Sequence, residues 1–140
     1  MNTARKNIVY DCSLIELDKH HAAQGNVSIV ENCKDIPFEI RRIYYLYDVP
    51  GGESRGGHAH RKLQQLILAV GGSFDIVLDD GAVKRTITLN NPYTGLLIVP
   101  GIWREIVNFS SGATCLVLAS MEYDESDYLR SYQDFLNFRK

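Results

Sequence analysis

Arg55-Gly56-Gly57-His58-Ala59-His60-Arg61-Lys62-Leu63 sets two imidazoles two residues apart, behind a pair of glycines. In an extended strand, residues i and i+2 face the same way. His58 and His60 therefore project together, and Lys62 and Gln64 continue that side. A lone strand histidine is ordinarily structural or exposed. Two on one side point to a functional face, because imidazole is the usual acid–base and metal-binding group near neutral pH. If the strand lines a barrel, both rings enter its interior.

The flanking sequence supplies the strands for such a barrel. Residues 7–17, 25–30, 40–47 and 63–70 are apolar or alternating runs bounded by turn residues. Pro50, Gly51, Gly52, Gly56 and Gly57 read as a loop by composition. Residues 73–78 and 82–89 flank Asp79-Asp80-Gly81, the clearest hairpin, since Asp-Gly supplies the positive φ of a tight turn. Residues 95–99, 103–108 and 114–121 complete nine or ten short strands, with Pro100-Gly101 as a stop between the first two. This pattern predicts an all-β jelly-roll sandwich or barrel. After residues 124–127, Tyr128, Leu129, Tyr132, Phe135 and Leu136 recur at helical spacing, so a short C-terminal helix is expected, capped by Ser126 or Asp127. No linker or repeat divides the 140 residues, and residues 1–140 are read as one domain.

Charge narrows the function. Fifteen Lys+Arg against seventeen Asp+Glu leave a net charge of −2. A nucleic-acid binder needs a basic face to displace counterions, so no nucleic-acid partner is expected. No apolar run reaches the ~18–20 residues of a membrane span, and no signal-type segment leads the chain, so a cytoplasmic protein without a membrane partner is expected. Cys12, Cys33 and Cys115 are odd in number and lack a CxxC, which fits reduced thiols. His20 and His21 lie in a polar segment and read as solvent-facing.

The histidine pair and its spacing resemble the cupin superfamily. Its first motif runs His-x-His, a glutamate three or four residues on, then glycine; here the positions are His58, His60, Gln64 and Gly71. Its second motif follows a Pro-Gly turn with histidine and then asparagine; here they are Pro100-Gly101, Arg104 and Asn108. Two of the four usual metal ligands are therefore replaced. Gln64 substitutes a neutral amide for a carboxylate, and Arg104 substitutes a permanent cation with no lone pair to give. Two histidines alone make a poor metal site. The expectation is a cupin pocket with no metal, its histidines free for proton transfer.

Further text resembles the small cupins that act as sugar-nucleotide 3,4-ketoisomerases on dTDP-4-keto-6-deoxyglucose. It comprises residues 36–45 (IPFEIRRIYY), 55–63 (RGGHAHRKL), 78–81 (LDDG), 117–120 (VLAS) and 123–130 (YDESDYLR). The resemblance implies a dTDP-linked sugar substrate, no cofactor and a homodimer. It implies His58 as base, His60 as its partner and Tyr44 as a phenolic donor near the sugar oxygens; packing is the plain alternative for Tyr44. Arg55 is the candidate for the diphosphate or a sugar oxygen, with Arg42 and Lys62 beside it as softer candidates. Gln64 and Asn108 enter the expected binding set through the motif register. Arg104 would stabilise an anionic enediolate. Relatives carry histidine or arginine there, and arginine leans toward the gluco product. Gln24 stands where relatives carry arginine or tyrosine. The competing readings are a 4-keto sugar-nucleotide 3,5-epimerase, a metal-dependent cupin oxygenase and a non-catalytic sugar-binding cupin.

Overall fold

In a computed structural model of the chain, residues 5–140 are described. A 3-10 turn at Val9–Asp11 precedes β1 (Ser13–Glu16), β2 (Lys19–Ala22), β3 (Gly25–Ser28) and β4 (Arg42–Leu46). Then follow β5 (Arg55–His60), β6 (Gln65–Gly71), β7 (Phe74–Asp79), β8 (Lys84–Leu89) and β9 (Thr94–Ile98). The chain finishes with β10 (Trp103–Val107), β11 (Thr114–Ala119), a 3-10 turn at Glu125–Asp127, β12 (Tyr128–Leu129) and helix α1 (Tyr132–Arg139). One five-stranded sheet runs β1-β9-β6-β11-β4 and the other β12-β5-β10-β7-β8, while β2 and β3 form a separate hairpin. This is the all-β jelly roll with a short C-terminal helix expected from the strand spacing. Among the described residues no helix is long and apolar enough to cross a membrane.

The core explains the sequence pattern. Ile67, Ala69, Leu96, Ile98, Cys115 and Val117 of the first sheet meet Phe74, Ile76, Leu78, Ile87 and Leu89 of the second. The central strand β6 is also covered behind, where Leu66, Leu68, Leu97 and Leu118 pack on Leu17, Ile36 and Phe38. Burial on both faces is why residues 66–69 read as a continuous apolar run and not as an alternation. Phe135 of α1 packs on Ala59, Trp103 and Leu129 behind the second sheet. The Asp79-Asp80-Gly81 turn forms as read: Gly81 has φ +91°, and Asp80 Oδ1 accepts from the Ala82 and Val83 amides.

Three local expectations need correction. Helix α1 begins at Tyr132 and not at Tyr128, and Ser131 caps it by accepting from the Asp134 amide. Tyr128 and Leu129 instead pair with His60 and Ala59 as an added edge strand, so sheet pairing overrides their helical spacing. Gly56 and Gly57 belong to β5 and not to the loop before it. On β10, Arg104 pairs with His58 and Ile106 with Arg55, which leaves one extra residue in β5. Gly56, at φ +75°, absorbs this bulge.

Gly72 shows how tightly the turns are set. It has φ +66°, and an added Cβ would lie 2.5 Å from Ser110 Oγ and 2.8 Å from the Ala113 backbone. Gly72→Ala is expected to destabilise the fold by about 2 kcal/mol, read as a lower midpoint in urea unfolding.

Candidate active site

A cavity of about 430 Å3 opens between the sheets at the His58 end. Arg42, Tyr44 and Leu46 of β4 line one side, with Gln65 and Ile67 of β6 and Val117 of β11; the strand parity that sends these residues inward leaves Ile43 and Tyr45 outside. Arg55, Gly56 and His58 of β5 and Arg104 and Ile106 of β10 line the other side. Tyr123, Tyr128 and Arg130 close the rim from the C-terminal segment.

His60 lies behind His58, fully buried, with the two rings edge to face at 4.8 Å. Its Nδ1 is 3.0 Å from Asp127 Oδ2. That carboxylate also accepts from the amides of Lys62 (2.8 Å) and Leu63 (3.3 Å), so it is an acceptor throughout and His60 must carry its proton on Nδ1. His60 Nε2 is left as a bare lone pair, and neither it nor the buried His58 Nε2 has a protein partner. Asp127 reaches this place because Asp124 caps the 3-10 turn and β12 then zips onto β5.

Arg104 is only 1% exposed and sets the electrostatics. Its Nε and Nη2 donate to Ile102 O, and its Nη1 donates to Gln65 Oε1 at 2.5 Å. Gln65 Nε2 in turn donates to Tyr44 Oη at 3.0 Å. Burial pulls the guanidinium down to about 10, still charged at neutral pH. Burial, together with Arg104, Arg130 and Arg42, brings His58 down to about 3. Burial, Arg104 and His58 also push His60 well below its usual value. Both rings are therefore neutral bases in the resting site.

The rim is built of stacked cations and rings. Arg130 lies 4.1 Å over Tyr128, and Glu125 holds it through two hydrogen bonds of 2.6 and 2.9 Å. Arg42 lies between the Tyr44 and Tyr123 rings and donates to Tyr128 Oη. Among the described residues, Arg42, Arg55 and Arg104 form no ion pair with a carboxylate, so the cavity is cationic.

Of the residues expected from sequence, His58, Tyr44, Arg42, Arg55 and Arg104 line this cavity, and His60 packs behind His58. Lys62, Gln64 and Asn108 do not. The strand ends at His60, so the alternation is broken by a bend: Lys62 is exposed, and Gln64 is half-buried outside the cavity lining. Gln65, the first residue of β6, takes the inward place. Asn108, at φ +56°, turns outward and donates to Asp75 on the surface. Gln24 is exposed at the turn of the β2–β3 hairpin, and His20 and His21 are exposed as expected. Sequence reasoning missed Gln65, Asp127, Tyr123, Tyr128 and Arg130. The last four fall inside the tail motif quoted above, which was the available signal.

The cupin metal does not fit these residues. Arg104 is a cation in the ligand register, Gln65 is already spent on Arg104 and Tyr44, and two imidazoles remain.

The family model described as "FdtA: WxcM-like, C-terminal" matches residues 10–140. The chain belongs to this family, the cupin-type sugar-nucleotide 3,4-ketoisomerases. It is 42% identical over 125 residues, covering 89% of this chain and 90% of the relative, to the TDP-4-oxo-6-deoxy-alpha-D-glucose-3,4-oxoisomerase of Aneurinibacillus thermoaerophilus. The crystal structure of a 3,4-ketoisomerase from Helicobacter canadensis is 45% identical, with TM-score 0.90 over 92% of this chain and 97% of that one. That of a TDP-quinovose 3,4-ketoisomerase from Campylobacter jejuni is 43% identical, with TM-score 0.88 over 92% and 99%. The family member described here is accordingly an isomerase.

The buried imidazoles also make stability depend on pH. Each folded-state value lies below the ordinary 6.5, so the unfolded chain takes up protons first as the medium is acidified. Their contribution is full above that value and is lost as pH falls from about 6.5 toward 3, at up to about 1.4 kcal/mol per pH unit for each ring. Urea unfolding at pH 7 and pH 5 should show a smaller loss for His58→Asn than for the wild-type protein.

Proposed function

We propose that the chain converts dTDP-4-keto-6-deoxy-D-glucose to a dTDP-3-keto-6-deoxyhexose by acid–base proton transfer, with residues 1–140 acting as a single cupin domain. The carrying observation is that His58, a neutral base, faces the same cavity as the buried cation Arg104. The substrate class is supported by the Aneurinibacillus relative.

The chemistry balances without an added reactant. His58 takes the proton from C3, which the C4 ketone acidifies. The C3–H electron pair forms the C3=C4 bond, and the carbonyl pair moves to O4, which takes a proton. The enediol then loses its O3 proton, C3 becomes the ketone and C4 receives a proton. Arg104 stabilises the anion between these steps, and Tyr44 donates to a sugar oxygen. His60, held by Asp127, orients the sugar or relays the proton. Arg55 and Arg130 on the rim, with Arg42, suit the diphosphate. The gluco product is favoured over galacto; Arg104 at its position and the similarity to the TDP-quinovose enzyme support this.

Incubation with dTDP-4-keto-6-deoxyglucose in D2O is expected to give a 3-keto product carrying deuterium on C4, read by NMR. In H2O, a large H4–H5 coupling in that product marks the gluco configuration. His58→Asn should lower kcat at least about 100-fold while still binding dTDP. A ketone kept at C4 with deuterium at C3 and C5 would identify an epimerase, and binding without turnover a sensor.

A homodimer is part of this proposal. Ile43 and Tyr45 of the edge strand β4 and Tyr47 just beyond it are 57%, 59% and 61% exposed, and Val70 adds to the same outer surface. Such an apolar edge calls for a second copy. Light scattering should give twice the 15.8 kDa chain mass, and Ile43→Asp should shift it toward the monomer; a monomeric wild-type protein would refute the dimer. Free Cys12, Cys33 and Cys115 support a reducing, cytoplasmic setting.

A further inference from the structure

We infer that Gln65 is a positioning residue that fixes the direction of the Tyr44 hydroxyl by donating to its oxygen, so that Tyr44 meets the sugar as a donor. The inference rests on the ketoisomerase reading above and deepens it.

The direction follows from what each group can do. A guanidinium has only donors, so the atom of Gln65 that meets Arg104 Nη1 must be the carbonyl oxygen Oε1. The other end of the amide is then NH2, which can only donate, and it meets Tyr44 Oη. Tyr44 therefore spends a lone pair on Gln65, and its own proton is left over. No described residue accepts that proton, and Tyr44 lines the cavity. Burial holds the phenol above its ordinary value, so the proton stays on the ring oxygen until substrate takes the hydrogen bond.

The frame around the chain is rigid. Gln65 is 1% exposed and Arg104 is anchored at Ile102 O by two further bonds. Gln65 pairs with Ala119 of β11, and Ala119 pairs with Arg42, two residues before Tyr44 on the next strand. The Gln65 amide thus reaches diagonally across β11 beside a methyl group, which leaves the path to Tyr44 open.

Gln65→Glu separates this role from simple packing. The glutamate is the same size and would pair with Arg104, so a structural role predicts an active protein of equal or higher Tm. A carboxylate, however, accepts from both neighbours and captures the Tyr44 proton. The expected result is an unchanged or raised Tm, kcat lower by about 100-fold and KM within about threefold. The same substitution in Tyr44→Phe protein is expected to cost less than about threefold, because the proton at issue is gone. Wild-type-like kcat in Gln65→Glu overturns the inference, and so does an equal loss in both backgrounds, which would mean the new charge acts directly. Gln65→Leu carries the test if the glutamate protein does not fold: about tenfold lower kcat with Tyr44 present and less than twofold in Tyr44→Phe supports the inference, and equal losses refute it. Wild-type protein that makes no 3-keto product would instead remove the ketoisomerase reading, so the two failures are distinct.

Discussion

A guanidinium buried without a carboxylate partner governs this site. Arg104 is held at the junction of the two sheets by one backbone carbonyl and one amide oxygen. Its charge is left to act on whatever enters the cavity. An isolated buried cation is expensive, and its retention suits a site that must meet an anion. Burial first, and the same charge second, hold both imidazoles unprotonated. One buried charge thereby faces the cavity beside a neutral imidazole that it helps to keep neutral.

The consequences spread through shared strands. Arg104 pairs with His58 across β10 and β5, so the cation and the base are fixed by one ladder. The bulge at Gly56 lies beside that pairing, where it re-aims β5 at its mouth. His60, one step deeper, pairs with Tyr128 of the returning tail and takes its second anchor from Asp127. The two histidines that share a face in the sequence thus have different surroundings: His58 opens to the cavity, and His60 is enclosed.

Much of this arrangement is readable from the chain. Period-two spacing places His58 and His60 together, and the Asp80-Gly81 signal gives the β7–β8 hairpin. The Pro-Gly turn puts Arg104 in register with an inward position. The reading fails where a local rule is carried past the end of its element. Extending the strand alternation beyond His60 selects Lys62 and Gln64, whereas the bend hands the inward position to Gln65. Extending β10 to Asn108 ignores the left-handed turn there. Asp127 could not be found by periodicity at all, because its partner lies 67 residues earlier and is met only through tertiary packing. Tyr128 has helical spacing, yet it pairs with His60 at the open edge of the second sheet, a partner that only tertiary packing brings near.

The returning segment at 124–129 also marks where the fold and the site part company. The large core cluster between the sheets is made by residues up to Val117, whereas Leu129 and Phe135 belong to the small cluster behind the second sheet. The sandwich and the finished cavity thus draw on different stretches of chain, because His60 takes its carboxylate and the rim its Arg130 only from the segment after the sandwich. Damage confined to that segment would leave the cationic cavity unfinished and bare an edge of β5 to other strands.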